Sequence, residues 1–251
     1  MDRVTTGIAG LDELLGGGIP KGRSVLVVGS PGSGKTTLAM QFLRSGAASD
    51  ERGLFVTMDE SPDQIKENLS GFRWDLDKLE REGRLFFADA TPIRRVRTKI
   101  ADYAERTMLP NVTEVFPELT LKDLIRTVSR VVDEEKIQRI VVDPVTSIML
   151  RYEKPSSRRK AMLMLFDALA TTGCSSLVTT ELRTAMLYRQ FQIEEFLSQG
   201  VILLHTRLHE GNVVRAMQIE KMRGISHDMQ WRPYQITTEG IEVFPRDRVF
   251  R

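Results

Sequence analysis

Cysteine is nearly absent from this sequence. Cys174 stands alone among 251 residues, so no intrachain disulfide can form and packing must hold the fold. Because Cys174 adjoins the apolar pair Leu177-Val178, its thiol is expected to be buried and inert. Long apolar runs are missing as well. None approaches the roughly 20 residues that span a bilayer, and no signal peptide opens the chain, so no membrane partner is expected and the cytoplasm is the natural compartment. An excess of either charge is lacking too, since 36 Lys and Arg against 34 Asp and Glu give a formal net charge of +2. Any nucleic-acid surface must then be a local patch. Internal repeats and low-complexity linkers are also absent. A hydrophobic share of 41% and a charged share of 28% are ordinary for a globular chain. Its length suits one domain, 1–251, with an ample core.

What the chain does contain is Gly29-Ser30-Pro31-Gly32-Ser33-Gly34-Lys35-Thr36, set between the apolar run Ser24–Val28 and Thr37-Leu38-Ala39-Met40-Gln41-Phe42-Leu43. The pattern is strand, glycine loop, helix. Its spacing G-x-x-x-x-G-K-T is that of a phosphate-binding loop, in which backbone N–H groups converge on phosphates at the positive end of a helix. Ser30, Gly32, Ser33, Gly34, Lys35, Thr36 and Thr37 are the expected contacts of a nucleoside triphosphate. Lys35 should reach the outer phosphates, and the Thr36 hydroxyl should face the magnesium ion that bridges them.

Before the loop, residues 5–22 read as a short helix ended by three glycines and a proline. Behind it, Gly53–Met58 is a buried strand ending in Asp59 and Glu60. Ser61 and Pro62 then cap and open a helix expected to run to about Phe72. Arg84–Asp89 is a third strand. The stretch from Pro92 to about Thr120 has no period and carries Arg94, Arg95, Arg97 and Lys99. Leu121–Glu135 is amphipathic, with apolar residues at helical spacing. Arg139–Asp143 is a strand closing on an acid, which places Asp143 at the magnesium ion. A polar, basic loop over 151–160 precedes a helix from Ala161 to about Ala170, and Ser175–Thr180 is a strand ended by Glu181. Two hairpins follow, around 209–212 and 239–240. The sheet is therefore expected to begin parallel and end antiparallel. His205 and His209 lie roughly 13 Å apart on a strand and its turn, too far for one metal ion. Trp74 and Trp231 read as packing anchors.

Taken together, these segments resemble the RecA-like ATPases, and within them the KaiC family. The likeness is carried by Thr6-Gly7-Ile8 with Gly10-Leu11-Asp12, the phosphate loop, and Asp59-Glu60-Ser61-Pro62. It extends through Val142-Asp143-Pro144-Val145-Thr146-Ser147, Thr179-Thr180-Glu181, and Lys221-Met222-Arg223-Gly224-Ile225-Ser226-His227. The resemblance implies an α/β, RecA-like P-loop NTPase core that binds ATP with Mg2+ and hydrolyses it. It makes Glu60 the general base, with Asp59 beside it where the family usually has a second glutamate. It also implies that Lys221, Arg223 and His227 reach a neighbouring subunit's nucleotide, so that sites are complete only in a homo-oligomer, a hexamer in the family's manner. Lys221 and Arg223 are expected on one side of a strand, and Thr237 is counted among the nucleotide contacts. Clock members carry two such domains, so clock function does not transfer to a chain with one. The family's autokinase acceptor pair aligns with Glu195-Phe196, which cannot accept phosphate.

Two functions follow from these features. One is an ATP-hydrolysing ring acting as a switch. The other is a recombinase-paralogue module that binds single-stranded DNA or RNA, with ATP controlling assembly. The basic loops 151–160 and 183–190, with Tyr152 and Tyr188 as stacking residues, are its expected nucleic-acid contacts. A small-molecule kinase lacks a recognisable acceptor pocket.

Overall fold

The computed structural model describes residues 2–91, 120–182, 184–185, 188–189, 192–209 and 211–249. The chain runs β1 (Arg3–Val4), α1 (Ala9–Leu14), β2 (Ile19–Pro20), β3 (Ser24–Gly29), α2 (Lys35–Ala48), β4 (Arg52–Thr57), α3 (Pro62–Asn68), α4 (Leu76–Arg81) and β5 (Leu85–Asp89). It continues with α5 (Leu121–Glu135), β6 (Ile137–Asp143), α6 (Thr146–Leu150), α7 (Pro155–Thr172), β7 (Ser175–Glu181), β8 (Thr184–Ala185) and β9 (Tyr188–Arg189). It closes with α8 (Ile193–Leu197), β10 (Gly200–His209), β11 (Asn212–Met222), β12 (Arg232–Thr237) and β13 (Gly240–Val243).

Nine strands form the main sheet in the order β13-β12-β11-β10-β3-β7-β6-β4-β5. From β10 to β5 the neighbours are parallel, and from β10 to β13 they are antiparallel, so the expected α/β, RecA-like architecture is present. Parallel strands covered on both faces read as continuous apolar runs. In β3, Val25 and Val27 face a core with Leu38, Phe42 and Phe55, while Leu26 and Val28 face the opposite core with Leu124, Met162 and Leu165. Helix α2 thus packs on one face, with α5 and α7 on the other. A consequence for function is that β7 lies between β3 and β6, and so between the phosphate loop and Asp143.

Several boundaries differ from expectation. Helix α3 has the expected Ser61 cap, with Gln64 completing a capping box, but it ends at Asn68 rather than near Phe72. The chain turns there, and the Arg73 N–H donates to the Thr238 carbonyl at 2.9 Å. The basic stretch 151–160 is a loop only through Lys154. Pro155 starts α7 at a position that suits proline, so the basic residues from Arg158 to Lys160 are helical. The uncharted stretch 92–119, with Arg94, Arg95, Arg97 and Lys99, lies outside the described residues.

Candidate nucleotide site

The loop between β3 and α2 owes its shape to its glycines. Gly32 and Gly34 have φ of +74° and +92°, backbone that side-chain-bearing residues rarely adopt. At Gly34 a Cβ would also stand 2.9 Å from Ile236 Cδ1 and 3.2 Å from Ile241 Cδ1, because the β12–β13 hairpin lies against the loop. The Tyr234 hydroxyl of that hairpin donates to the Ser33 carbonyl at 2.7 Å, and burial pushes its pKa up to about 12.

Lys35 opens α2 and folds back over the loop. Its Nζ donates to the carbonyls of Gly29 at 2.8 Å and Ser30 at 3.1 Å. Burial pushes the Lys35 pKa down, opposed by the charges of Asp143 and Glu181. Thr36, the next residue of the same turn, donates from Oγ1 to Asp143 Oδ2 at 2.8 Å. The two residues assigned to the cation are therefore in contact across 107 positions of sequence. Asp143 is only 5% exposed. Burial raises its pKa against the opposing pull of Thr179, Thr36 and Lys35, and the nearby Asp59 charge raises it further. Thr179 on β7 donates to Asp143 Oδ1, a contact that depends on the sheet order.

A buried carboxylate faced by hydroxyls is a hard-oxygen donor set, which fits Mg2+ completed by waters and phosphate oxygens. Among the described residues, no group of three or more His, Cys, Asp or Glu gathers into a metal cage. His205 instead stacks on Trp231, with ring centroids 4.0 Å apart, and Trp74 stacks on Phe72 at 4.5 Å. Both tryptophans are thus packing anchors.

The two acids after β4 have different surroundings. Asp59 accepts a hydrogen bond from Ser147 Oγ at the start of α6 and lies close enough to Asp143 to raise its pKa. Glu60 is exposed, and its Oε2 accepts from Asn68 Nδ2 at 2.9 Å. Asp59 is thus the acid nearer the cation pair, and Glu60 is held by α3.

The residues expected to act across a boundary lie elsewhere. Lys221 pairs with Val201, which pairs with Leu26. Because β11 runs against β3, residues 221–223 stand beside the start of β3, and the phosphate loop leaves its far end. Arg223 lies in the turn after β11, which corrects the expectation that both cations share one strand. Lys221 Nζ donates to the Glu195 carbonyl at 2.6 Å. His227 Nδ1 lies 3.4 Å from the Ile225 carbonyl, and its buried Nε2 has no partner among the described residues. The Thr237 hydroxyl donates to the Gly240 carbonyl and accepts from the Glu239 N–H, both at 3.2 Å, so it closes the hairpin turn.

In the first of the expected nucleic-acid loops, Arg158 and Tyr152 have contacts within the chain. Arg158 Nε donates to the Tyr152 carbonyl at 2.6 Å, and Tyr152 packs against the core under α7. In 183–190, Arg183 and Gln190 lie outside the described residues, and the backbones of β8 and β9 pair antiparallel.

Residues 4–248 match the family model described as "ATPase: KaiC". A UPF0273 protein of Methanopyrus kandleri is 35% identical over 250 residues, covering 100% of this chain and 94% of the relative. The circadian clock oscillator protein KaiC of Synechococcus elongatus is 35% identical over 245 residues, but the match spans only 44% of its length. The crystal structure of a KaiC-like protein from Pyrococcus horikoshii OT3 superimposes with a TM-score of 0.80 at 33% identity, covering 97% of this chain and 99% of that one. On the family match and the shared fold, the chain belongs to the KaiC family and is an ATP-binding protein of the RecA fold.

Proposed function

We propose that this protein is a magnesium-dependent ATPase whose sites are completed between copies of the chain, forming a ring that acts as a nucleotide-controlled switch. The observation that carries the reading is the contact of Thr36 with Asp143 beneath Lys35. The loop amides of Ser30, Gly32, Ser33 and Gly34, with Lys35 and Thr37, bind the triphosphate. Thr36 and Asp143 would hold magnesium, which would supply positive charge to the outer phosphate oxygens. Glu60, oriented by Asn68, takes the proton of the attacking water, with Asp59 held beside it by Ser147.

Support for a shared site comes from the register. Lys221 and Arg223 lie at the end of the sheet away from their own phosphate loop, so cations of this segment serve an adjoining copy, with His227 as a further contact there; Thr237, in the hairpin against the loop, is counted as a nucleotide contact of its own. Arg223 acts as a finger on the phosphate charge. Nucleotide-binding and phosphate-release assays test the proposal. Lys35→Ala should lose ATP binding, and Glu60→Gln should bind ATP without turning it over. Wild-type affinity in Lys35→Ala, or unchanged hydrolysis in Glu60→Gln, rejects the corresponding role. The nucleic-acid reading has less support, since Arg158 and Tyr152 are taken up inside the chain.

A further inference from the structure

Helix α8 is tied on one side to the chain's own nucleotide site and on the other to its outward-acting cations. Glu194, in the first turn of α8, is 1% exposed, and its Oε1 accepts from Thr180 Oγ1 at 3.1 Å. Thr180 follows Thr179, the donor to Asp143. Gln192 Nε2 donates to the Glu181 carbonyl at 2.6 Å, and the Leu182 N–H donates to the Gly29 carbonyl at 3.1 Å. The end of β7 is thereby fixed to both the phosphate loop and α8. On the other side, the Glu195 carbonyl holds Lys221 Nζ at 2.6 Å. Just past the helix, the Gln199 carbonyl accepts from the Arg223 N–H at 2.9 Å.

Burying a carboxylate is costly, and an apolar side chain would fill the same space more cheaply. A helix of five residues with a capping box joining Gln192 and Glu195 has little internal freedom, so movement at the β7 tip shifts it as a unit. We propose that Glu194 is a positioning residue: by fixing α8 to Thr180 beside the chain's own triphosphate site, it sets where Lys221 and Arg223 stand at the adjoining copy's site. The nucleotide held by one copy thereby governs the rate at its neighbour. This rests on the reading that Lys221 and Arg223 act between copies.

The test compares nucleotide affinity and turnover of the full chain for wild type, Lys221→Ala, Glu194→Leu, Glu194→Gln and Glu194→Leu/Lys221→Ala. Glu194→Leu should keep ATP affinity within about twofold while lowering kcat roughly tenfold. Glu194→Gln keeps an acceptor for Thr180 and should restore turnover. The double variant should be no slower than Lys221→Ala alone, because both changes remove one effect. Thr180→Val deletes the same contact and should repeat the pattern, which keeps the test decisive where Glu194→Leu does not fold. Losses that multiply in the double variant, or unchanged kcat in both Glu194→Leu and Thr180→Val, overturn the proposal while leaving a slow Lys221→Ala as support for the shared site. Wild-type turnover in Lys221→Ala defeats the shared site itself, and the positioning role falls with it.

Discussion

At the scale of single residues, Tyr234 reports on the packing over the phosphate loop. Its pKa lies about 12 against the usual 10.0, so ionisation is harder in the folded state than in the unfolded one. The stabilising difference is fully present below pH about 10 and is lost as pH rises toward about 12. A tyrosinate absorbance titration should show one of the four tyrosines ionising late, and that step should vanish in Tyr234→Phe. Identical titrations in the two proteins contradict the assignment. Removing the hydroxyl also leaves the buried Ser33 carbonyl without this donor, which should cost about 1 kcal/mol of stability in denaturant unfolding. Much of the site was legible at this scale. The placing of Lys35, Thr36 and Asp143 was readable because it follows from local spacing, a glycine loop after a strand and an acid closing another. Thr179 was not, since its contact with Asp143 exists only because β7 inserts between β3 and β6. Cys174 is buried as expected, and burial raises its thiol pKa, so thiol reagents should label it only on unfolding.

At the scale of elements, helices with explicit caps were the readable ones. Ser61-Pro62 and the Leu121 period gave α3 and α5, and Thr120 adds a capping box with Asp123. Thr120→Ala should therefore cost about 1 kcal/mol, measured as a lower denaturation midpoint. Short elements such as α6 and α8 were not legible, because five residues carry too little periodicity. The start of α7 was hidden by its charges, which read as loop although Pro155 suits a first helical position. Contacts between chain ends were equally invisible. A Cβ at Gly10 in α1 would lie 2.0 Å from the Val243 carbonyl oxygen of β13, so Gly10→Ala must push apart the N-terminal helix and the hairpin that covers the phosphate loop. A loss of about 1–3 kcal/mol is expected, seen as a melting point lower by several degrees. A neutral substitution would show that the two elements separate freely.

For the whole molecule, the sheet register is the decisive feature. It puts the phosphate loop at one end of β3 and Lys221 and Arg223 beside the other, the arrangement that the proposed shared site requires. The resemblance implied a shared site, but the sequence order did not show that the phosphate loop and Lys221 stand at opposite ends of β3. Mixing two inactive variants measures this most directly. On the proposed roles, Lys35→Ala should lack the grip on ATP and keep Arg223, while Arg223→Ala should keep the grip and lack the finger. In equal mixtures about a quarter of the boundaries unite an intact loop with an intact Arg223. Phosphate release should therefore recover to about that fraction of the wild-type rate, well above the sum of the separate variants. A mixture no more active than that sum contradicts a site shared between copies.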